Sequence, residues 1–398
     1  MAHSASPRPT RSAAFPVFIT VFIDMIGFGI VLPLLPSYAS RMSVSDTGIG
    51  VLVASFSLCQ FLLAPWWGRL SDRIGRRPVI LLGLAGSALS YLVFAFAGSF
   101  LALLVSRVLA GSMGATINVA QAYLADVTPP ERRSAAMGLI GAAFGLGFVV
   151  GPAIGGITSH LGDELPGLVA AALCAGNFVL AFFRLPEPVR HGARSTDAAP
   201  IDWPLLLAPA LVVFLSAIAF TVMYVVFPLY LERTMGYDRH HTGYFFALLG
   251  LVTAAVQGGL VGRLVRRFGE RRVMEAGCLI VALGLLLLPV VTSPRAPQPY
   301  HLPGLMLVLL LMGFGPGLIS PSTSGYVSRL TAAGQQGRAL GLLTSAGSVA
   351  RVIGPVLAGA LSTALGSSAT FLAMAAVAAA GAVGGYAARG APRLNGGG

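Results

Sequence analysis

Long unbroken apolar stretches alternate with short polar ones along the whole chain, and the apolar stretches lack period-two alternation. Runs of about 20 apolar residues are what a helix needs to cross a bilayer. Without alternation they predict helices, not barrel strands. The pattern places six spans before a polar connector: Phe15–Tyr38, Gly48–Trp67, Val79–Ala97, Leu101–Leu124, Ser134–Thr158 and Gly167–Arg184. Six more follow it: Leu205–Leu231, Thr242–Leu264, Val273–Val291, Leu305–Ser328, Ala339–Ala360 and Ala369–Tyr386. The connector, residues 185–204, is rich in Pro, Arg, Asp and Ala, lacks apolar periodicity and reads as a flexible linker. The expectation is an all-α membrane protein of two six-helix bundles, residues 1–184 and 205–398.

The two halves repeat one another. GRLSDRIGRRP (Gly68–Pro78) returns as GRLVRRFGERR (Gly262–Arg272), with six of eleven positions identical at an offset of 262 − 68 = 194. MGLIGAAFGLGFVVGPAIGG (Met137–Gly156) parallels LGLLTSAGSVARVIGPVLAG (Leu340–Gly359) at 354 − 151 = 203. Doubling of a membrane unit into parallel, pseudo-symmetric halves is a plan of transporters. The Gly151-Pro152 and Gly354-Pro355 pairs are expected to bend their helices.

Charge sets the orientation. Of 398 residues 56% are hydrophobic and 10% charged, with a net charge of +12, which excludes an ordinary soluble domain. All 26 cationic side chains are Arg, and twenty lie in the termini and every second loop. Only Arg41, Arg233, Arg239 and Arg295 occupy the alternate loops, while Arg107 and Arg351 sit inside apolar runs. This asymmetry predicts that both termini are cytoplasmic. Basic residues do not interleave with aromatics, so nucleic acid is not an expected partner. Cys59, Cys174 and Cys278 have unrelated spacings, and the six His fall in termini and loops. Neither set forms a metal site, and no carboxylate pair within a span suggests an intramembrane enzyme. No phosphate-cradling GxxxxGK[ST] occurs.

Asp24 is the one acid well inside a span, roughly 13 Å from its start at 1.5 Å per residue. An ionised Asp at mid-bilayer costs about 2.5–3.5 kcal/mol, so it should face water or a partner. Arg107 is the expected partner, as a static ion pair or as part of a switch that loads and releases a proton. Arg351 in the eleventh span reads either as a structural partner for carbonyls at a helix bend, or as a binder of an anionic substrate group or a second member of the proton relay. Asn118, Gln121, Tyr224, Gln257 and Tyr326 complete the polar candidates for a substrate cavity.

These residues resemble a known family. GRLSDRIGRRP is similar to the loop 2–3 motif of the major facilitator superfamily, LLVSRVLAGSMGAT to its helix 4 motif, and GFVVGPAIGG to the helix 5 motif of its drug/proton antiporters. FIDMIGFGIVLPLLP and APWWGRLSDRIGRRPV look like the start of the twelve-span tetracycline/proton antiporters. The resemblance implies proton coupling through Asp24 and Arg107. It also implies a cytoplasmic gate of Gly68, Asp72, Gly75 and Arg76, with Asp126 paired to Arg76 and Asp72 meeting the start of helix 11 when the gate closes. In the second copy Arg266 and Glu270 replace the Asp and the Arg, so the charges are swapped. Where tetracycline exporters carry an Asp in helix 3, a His in helix 8 and an Asp in helix 9, this chain has Ser90, Thr253 and about Val281, while Gln257 matches. That argues against tetracycline itself as the substrate.

The resulting expectation is a monomeric, proton-coupled exporter of a small organic compound, with protons as coupling ion and no cofactor. The alternative is a facilitator or proton symporter importing a sugar or carboxylate.

Overall fold

The computed structural model describes residues 11–114, 116–128, 133–188, 203–293, 300–331 and 335–387. Residues 189–202, most of the expected linker, lie outside these, as do Arg8, Arg132, Arg190, Arg194, Arg295, Arg389 and Arg393. Among the described residues, twelve helices are long and apolar enough to cross a bilayer. Spans 1 to 6 are Phe15–Arg41, Asp46–Ile74, Arg76–Ala95, Phe100–Val127, Ile140–Leu161 and Leu165–Arg184. Spans 7 to 12 are Trp203–Val225, Arg239–Phe268, Glu270–Val291, His301–Leu330, Gln336–Leu365 and Ser367–Gly384. Twelve crossings return the chain to its starting side, called here the termini side; the opposite side is the far side.

GRLSDRIGRRP is not a loop. Span 2 stays helical through Ile74, span 3 begins at Arg76, and Gly75 alone turns the chain at φ +110°. Gly269 does the same at φ +81° between spans 8 and 9. L side chains rarely adopt such φ values. The repeated glycine therefore lets two long helices meet at a single residue.

Arg133–Leu161 and Gln336–Leu365 stay helical through the Gly-Pro pairs. Interruptions occur instead at residues 32–34 of span 1, at Gly114 in span 4, at Thr221 in span 7, and in a π-helical turn, Val256–Leu260, of span 8. What the two glycines provide is proximity. A Cβ on Gly151 would lie 2.7 Å from the Ile26 carbonyl oxygen, and one on Gly354 2.7 Å from the Thr221 hydroxyl. In lipid, where apolar burial gives helices no reason to associate, such close approach is what joins them.

Within the first half, span 1 packs on spans 5 and 6, and span 4 on spans 2 and 3. In the second half, span 7 packs on spans 11 and 12, and span 10 on spans 8 and 9. The halves meet along two seams, span 2 against span 11 and span 5 against span 8.

Candidate functional site

Both seams are tight at the far side and parted at the termini side. A Cβ on Gly50 or Gly359 would overlap the Pro355 or Asp46 carbonyl across the first seam. Across the second, a Cβ on Gly243 would lie 2.6 Å from the Pro152 carbonyl oxygen. Toward the termini side, Gly138 just before span 5, Gly141 of span 5, Gly258 and Gly259 of span 8, and Gly341 of span 11 face open space.

Polar contacts seal the far side. Arg233, just beyond span 7, grips Asp46 at the start of span 2 with bonds of 2.9 and 3.2 Å, and Ser362 of span 11 donates to the same carboxylate at 2.6 Å. Asp163, between spans 5 and 6, takes Arg41 at 2.7 Å from its own half and Arg239 at 2.6 Å from the other. The Tyr38 hydroxyl donates to the Asp163 carbonyl. His160 and His240 meet edge to face across the same seam with ring centroids 3.5 Å apart. Three of the four Arg that break the positive-inside pattern thus have a task here, and their exceptional placement was the signal that could have revealed it. Asp46 and Asp163 were not singled out.

The Arg239 hydrogen bond, with both arginine charges, holds the Asp163 carboxyl below its usual value of 3.8. A depressed carboxyl contributes stability above its unfolded pKa and loses it as pH falls through the folded one. The Asp163 contribution to far-side closure should therefore be constant from neutral pH down to about 4 and weaken below it. In Asp163→Asn that acid limb should vanish and closure be weaker throughout. Label-to-label distances across the far side, followed against pH, test this.

On the termini side, Arg76 joins Asp126 at 3.0 Å and Asp72 at 2.8 Å, and donates to the Ser71 hydroxyl at 2.5 Å. The Arg76–Asp126 pair is thus present with this side open. Asp72 is 62% exposed and reaches only Arg76 among the described residues, not the start of span 11. With the halves parted, that helix end is beyond its reach. Gly68 faces open space. Glu187 was missed: its carboxylate accepts the backbone N–H groups of Arg76 and Arg77 at 2.6 and 3.0 Å. It caps span 3 where the orphan donors and the helix dipole favour an anion. Tyr123 of span 4 donates to the Pro186 carbonyl at 2.6 Å, holding the same segment.

The second half carries this pair with its polarity reversed. Glu270 stands where Arg76 stands, at 270 − 76 = 194, and Arg329 where Asp126 stands, at 329 − 126 = 203. The two meet at 2.7 Å. The motif that looks degraded in sequence retains its ion pair in space.

Asp24 and Arg107 form no ion pair in the structure. Both are buried, but Arg107 lies roughly 10 Å from the far end of span 4, whereas Asp24 lies roughly 13 Å from the opposite face. Tyr91 of span 3, roughly 22 Å along its helix, comes between them in depth and feels the charge of both. Arg107 turns to the Phe94 ring, 5.3 Å from its centroid, and donates to the Ser106 hydroxyl at 3.3 Å. Asp24 faces a cavity of about 20 Å³ lined by Phe28, Phe56, Gln60, Ser87 and Tyr91, enough for a single water. Gln60, not among the expected residues, donates to the Gly114 carbonyl at the break in span 4.

Arg351 opens onto a larger cavity of about 360 Å³ between spans 7, 10 and 11, with Val281 of span 9 at its back. Tyr224 lies beside Arg351 and stacks on Phe246 at 5.9 Å. Tyr326 does not join this site; it sits near the termini-side end of span 10 beside Arg271 and Glu275. Asn118 and Gln121 on span 4 and Gln257 on the π turn of span 8 are exposed and line neither cavity.

Two membrane-embedded six-helix bundles, sealed together at one face and parted around cavities at the other, define a solute transporter. The chain belongs to the Major Facilitator Superfamily, whose profile matches residues 17–294 and 209–395. It is 34% identical over 359 residues to the class D tetracycline resistance protein of Salmonella ordonez, covering 87% of this chain and 88% of that one. It is 30% identical over 357 residues to multidrug resistance protein 2 of Bacillus subtilis (strain 168), covering 86% of each. The crystal structure of the human organic anion transporter MFSD10 is similar, with a TM-score of 0.71 at 28% identity over 96% of this chain and all of that one. The protein is accordingly an integral membrane transporter of a small molecule, not an enzyme.

Proposed function

We propose that the chain is a monomeric, proton-coupled exporter of small organic, drug-like compounds, working by alternating access in a bacterial inner membrane with both termini cytoplasmic. The observation that carries this reading is Asp24: an acid within the membrane, without a cation within 4.0 Å among the described residues, beside a water-sized cavity. An acid kept there at such cost is a site for exchangeable protons. The names of the tetracycline and multidrug resistance relatives support export of drug-like compounds.

In the termini-open form Asp24 gives up its proton and substrate enters the cavity. The far-side contacts then part, Asp24 takes a proton from the far side, and substrate leaves. Tyr91 relays the state of Asp24 toward Arg107. Gly68, Asp72, Gly75, Arg76 and Asp126 act at the termini-side gate, Asp72 docking on the start of span 11 as the halves close. Protons are the coupling ion and no cofactor takes part.

The importing alternative finds support in Arg351, which could hold a carboxylate metabolite. Proteoliposomes separate the two: under an imposed pH gradient, net flux of a fluorescent amphipathic dye should run opposite to the protons and reverse with the gradient. Flux in the same direction as the protons would establish the importing alternative instead.

A further inference from the structure

The cavity at Arg351 has an unbalanced charge. Among the described residues Arg351 makes no ion pair; Nη2 donates to the Ser348 hydroxyl at 3.0 Å, and that hydroxyl spends its own hydrogen on the Thr344 carbonyl. No Asp or Glu lines the cavity. Its hydroxyls are neutral: Ser216, Ser324 and Thr344 each donate to a carbonyl of their own helix, and Ser320 is the fourth. The remaining wall is largely apolar, with Phe220, Val281, Ile319 and Leu343 among its members.

Arg351 stands at mid-depth of span 11 yet is exposed to the open cavity, so its guanidinium is free to meet an anion that enters. The planar fork matches a two-oxygen anion such as a carboxylate or sulfonate. A volume of about 360 Å³ is at the small end of organic-ligand sites, and the apolar wall suits a ring system or short chain.

We propose that this cavity binds the transported compound as an amphipathic monoanion, its acid group on Arg351 and its apolar body against Phe220 and Val281. The proposal rests on the transport reading above and names the substrate class. A cation of the same shape is repelled there, so the site discriminates by sign of charge as well as by shape.

Three radiolabelled probes of one shape test it on the full chain in discs of zwitterionic lipid: 1-naphthaleneacetate, 1-naphthaleneacetamide and 1-naphthylmethylammonium. The acetate should bind about tenfold more tightly than the acetamide, the difference a charge-assisted hydrogen bond makes, and the ammonium least. Arg351→Gln should equalise acetate and acetamide with acetamide binding unchanged. Arg351→Lys, which keeps the charge but not the fork, should retain a reduced preference. Should Arg351→Gln fail to fold, the lysine variant and the wild-type ranking still decide. No acetate binding at about 1 mM, no wild-type preference for the anion, or a preference that survives in Arg351→Gln would each overturn the proposal. Displacement of bound acetate by anionic lipid would assign the site to a lipid acid; absence of displacement would assign it to a dissolved one. Loss of anion preference with proton-driven export intact would remove this assignment alone. Loss of proton-driven export with anion preference intact would remove only the coupling reading.

Discussion

Asp24→Asn should abolish uphill transport driven by a pH gradient while leaving substrate exchange intact. The amide matches the carboxyl in size and fits the same surroundings of Ser87, Tyr91 and Gln60, but it cannot take up and release a proton. For one proton per cycle, 100 mV is worth about 2.3 kcal/mol, enough to sustain about a fifty-fold substrate gradient. In proteoliposomes the wild type should approach that ratio and the variant should stay near unity. Exchange of labelled for unlabelled substrate across the same membranes needs no net proton movement, so it should continue. A variant that still accumulates substrate against its gradient would remove Asp24 from the mechanism and leave the coupling group to be found elsewhere.

Gly50→Leu should force the far side open. A side chain at Gly50 has nowhere to go, because the Pro355 carbonyl of span 11 occupies the place its Cβ would take. The helices must separate where Asp46, Arg233 and Ser362 now join the halves. Overpacking of this kind costs about 1–3 kcal/mol, equivalent to about a 5- to 150-fold shift in population away from the far-closed form. Spin labels at Phe96 and Tyr300, both exposed near the far side on opposite halves, should report a longer distance. Gly138→Leu is the contrasting test. Gly138 faces open space on the termini side, so its variant should keep the far side closed and resist closure at the other end. If the two variants shift the label distance alike, the seams are not the moving surfaces.

Several parts of the site were legible in the chain. Asp24 was conspicuous because an acid inside an apolar run has a transfer cost that needs a reason. The doubled GRLSDRIGRRP stretch marked the symmetry of the halves, although its helical course and one-residue turn at Gly75 required the backbone. The far-side seal was visible only in outline. Arg41, Arg233 and Arg239 stood out against the positive-inside rule, but nothing local linked Arg233 to Asp46, 187 residues away, or Ser362 to Asp46 across 316 residues. That Asp24 and Arg107 stand apart in this structure was not legible for a related reason. Both are buried charges of opposite sign, yet depth along two antiparallel helices keeps them apart and puts Tyr91 between.

The sequence by itself determined that this is a doubled, twelve-span helical membrane protein, because partition of a segment into lipid depends on its own composition and length. Its Arg bias likewise needed no structure to be read. Only the tertiary structure decided which side is closed, which charges meet across the seams, and that Arg351 faces a cavity without an acid. Those outcomes depend on how each helix is rotated and how closely backbones approach at particular glycines, and neither is encoded within one span.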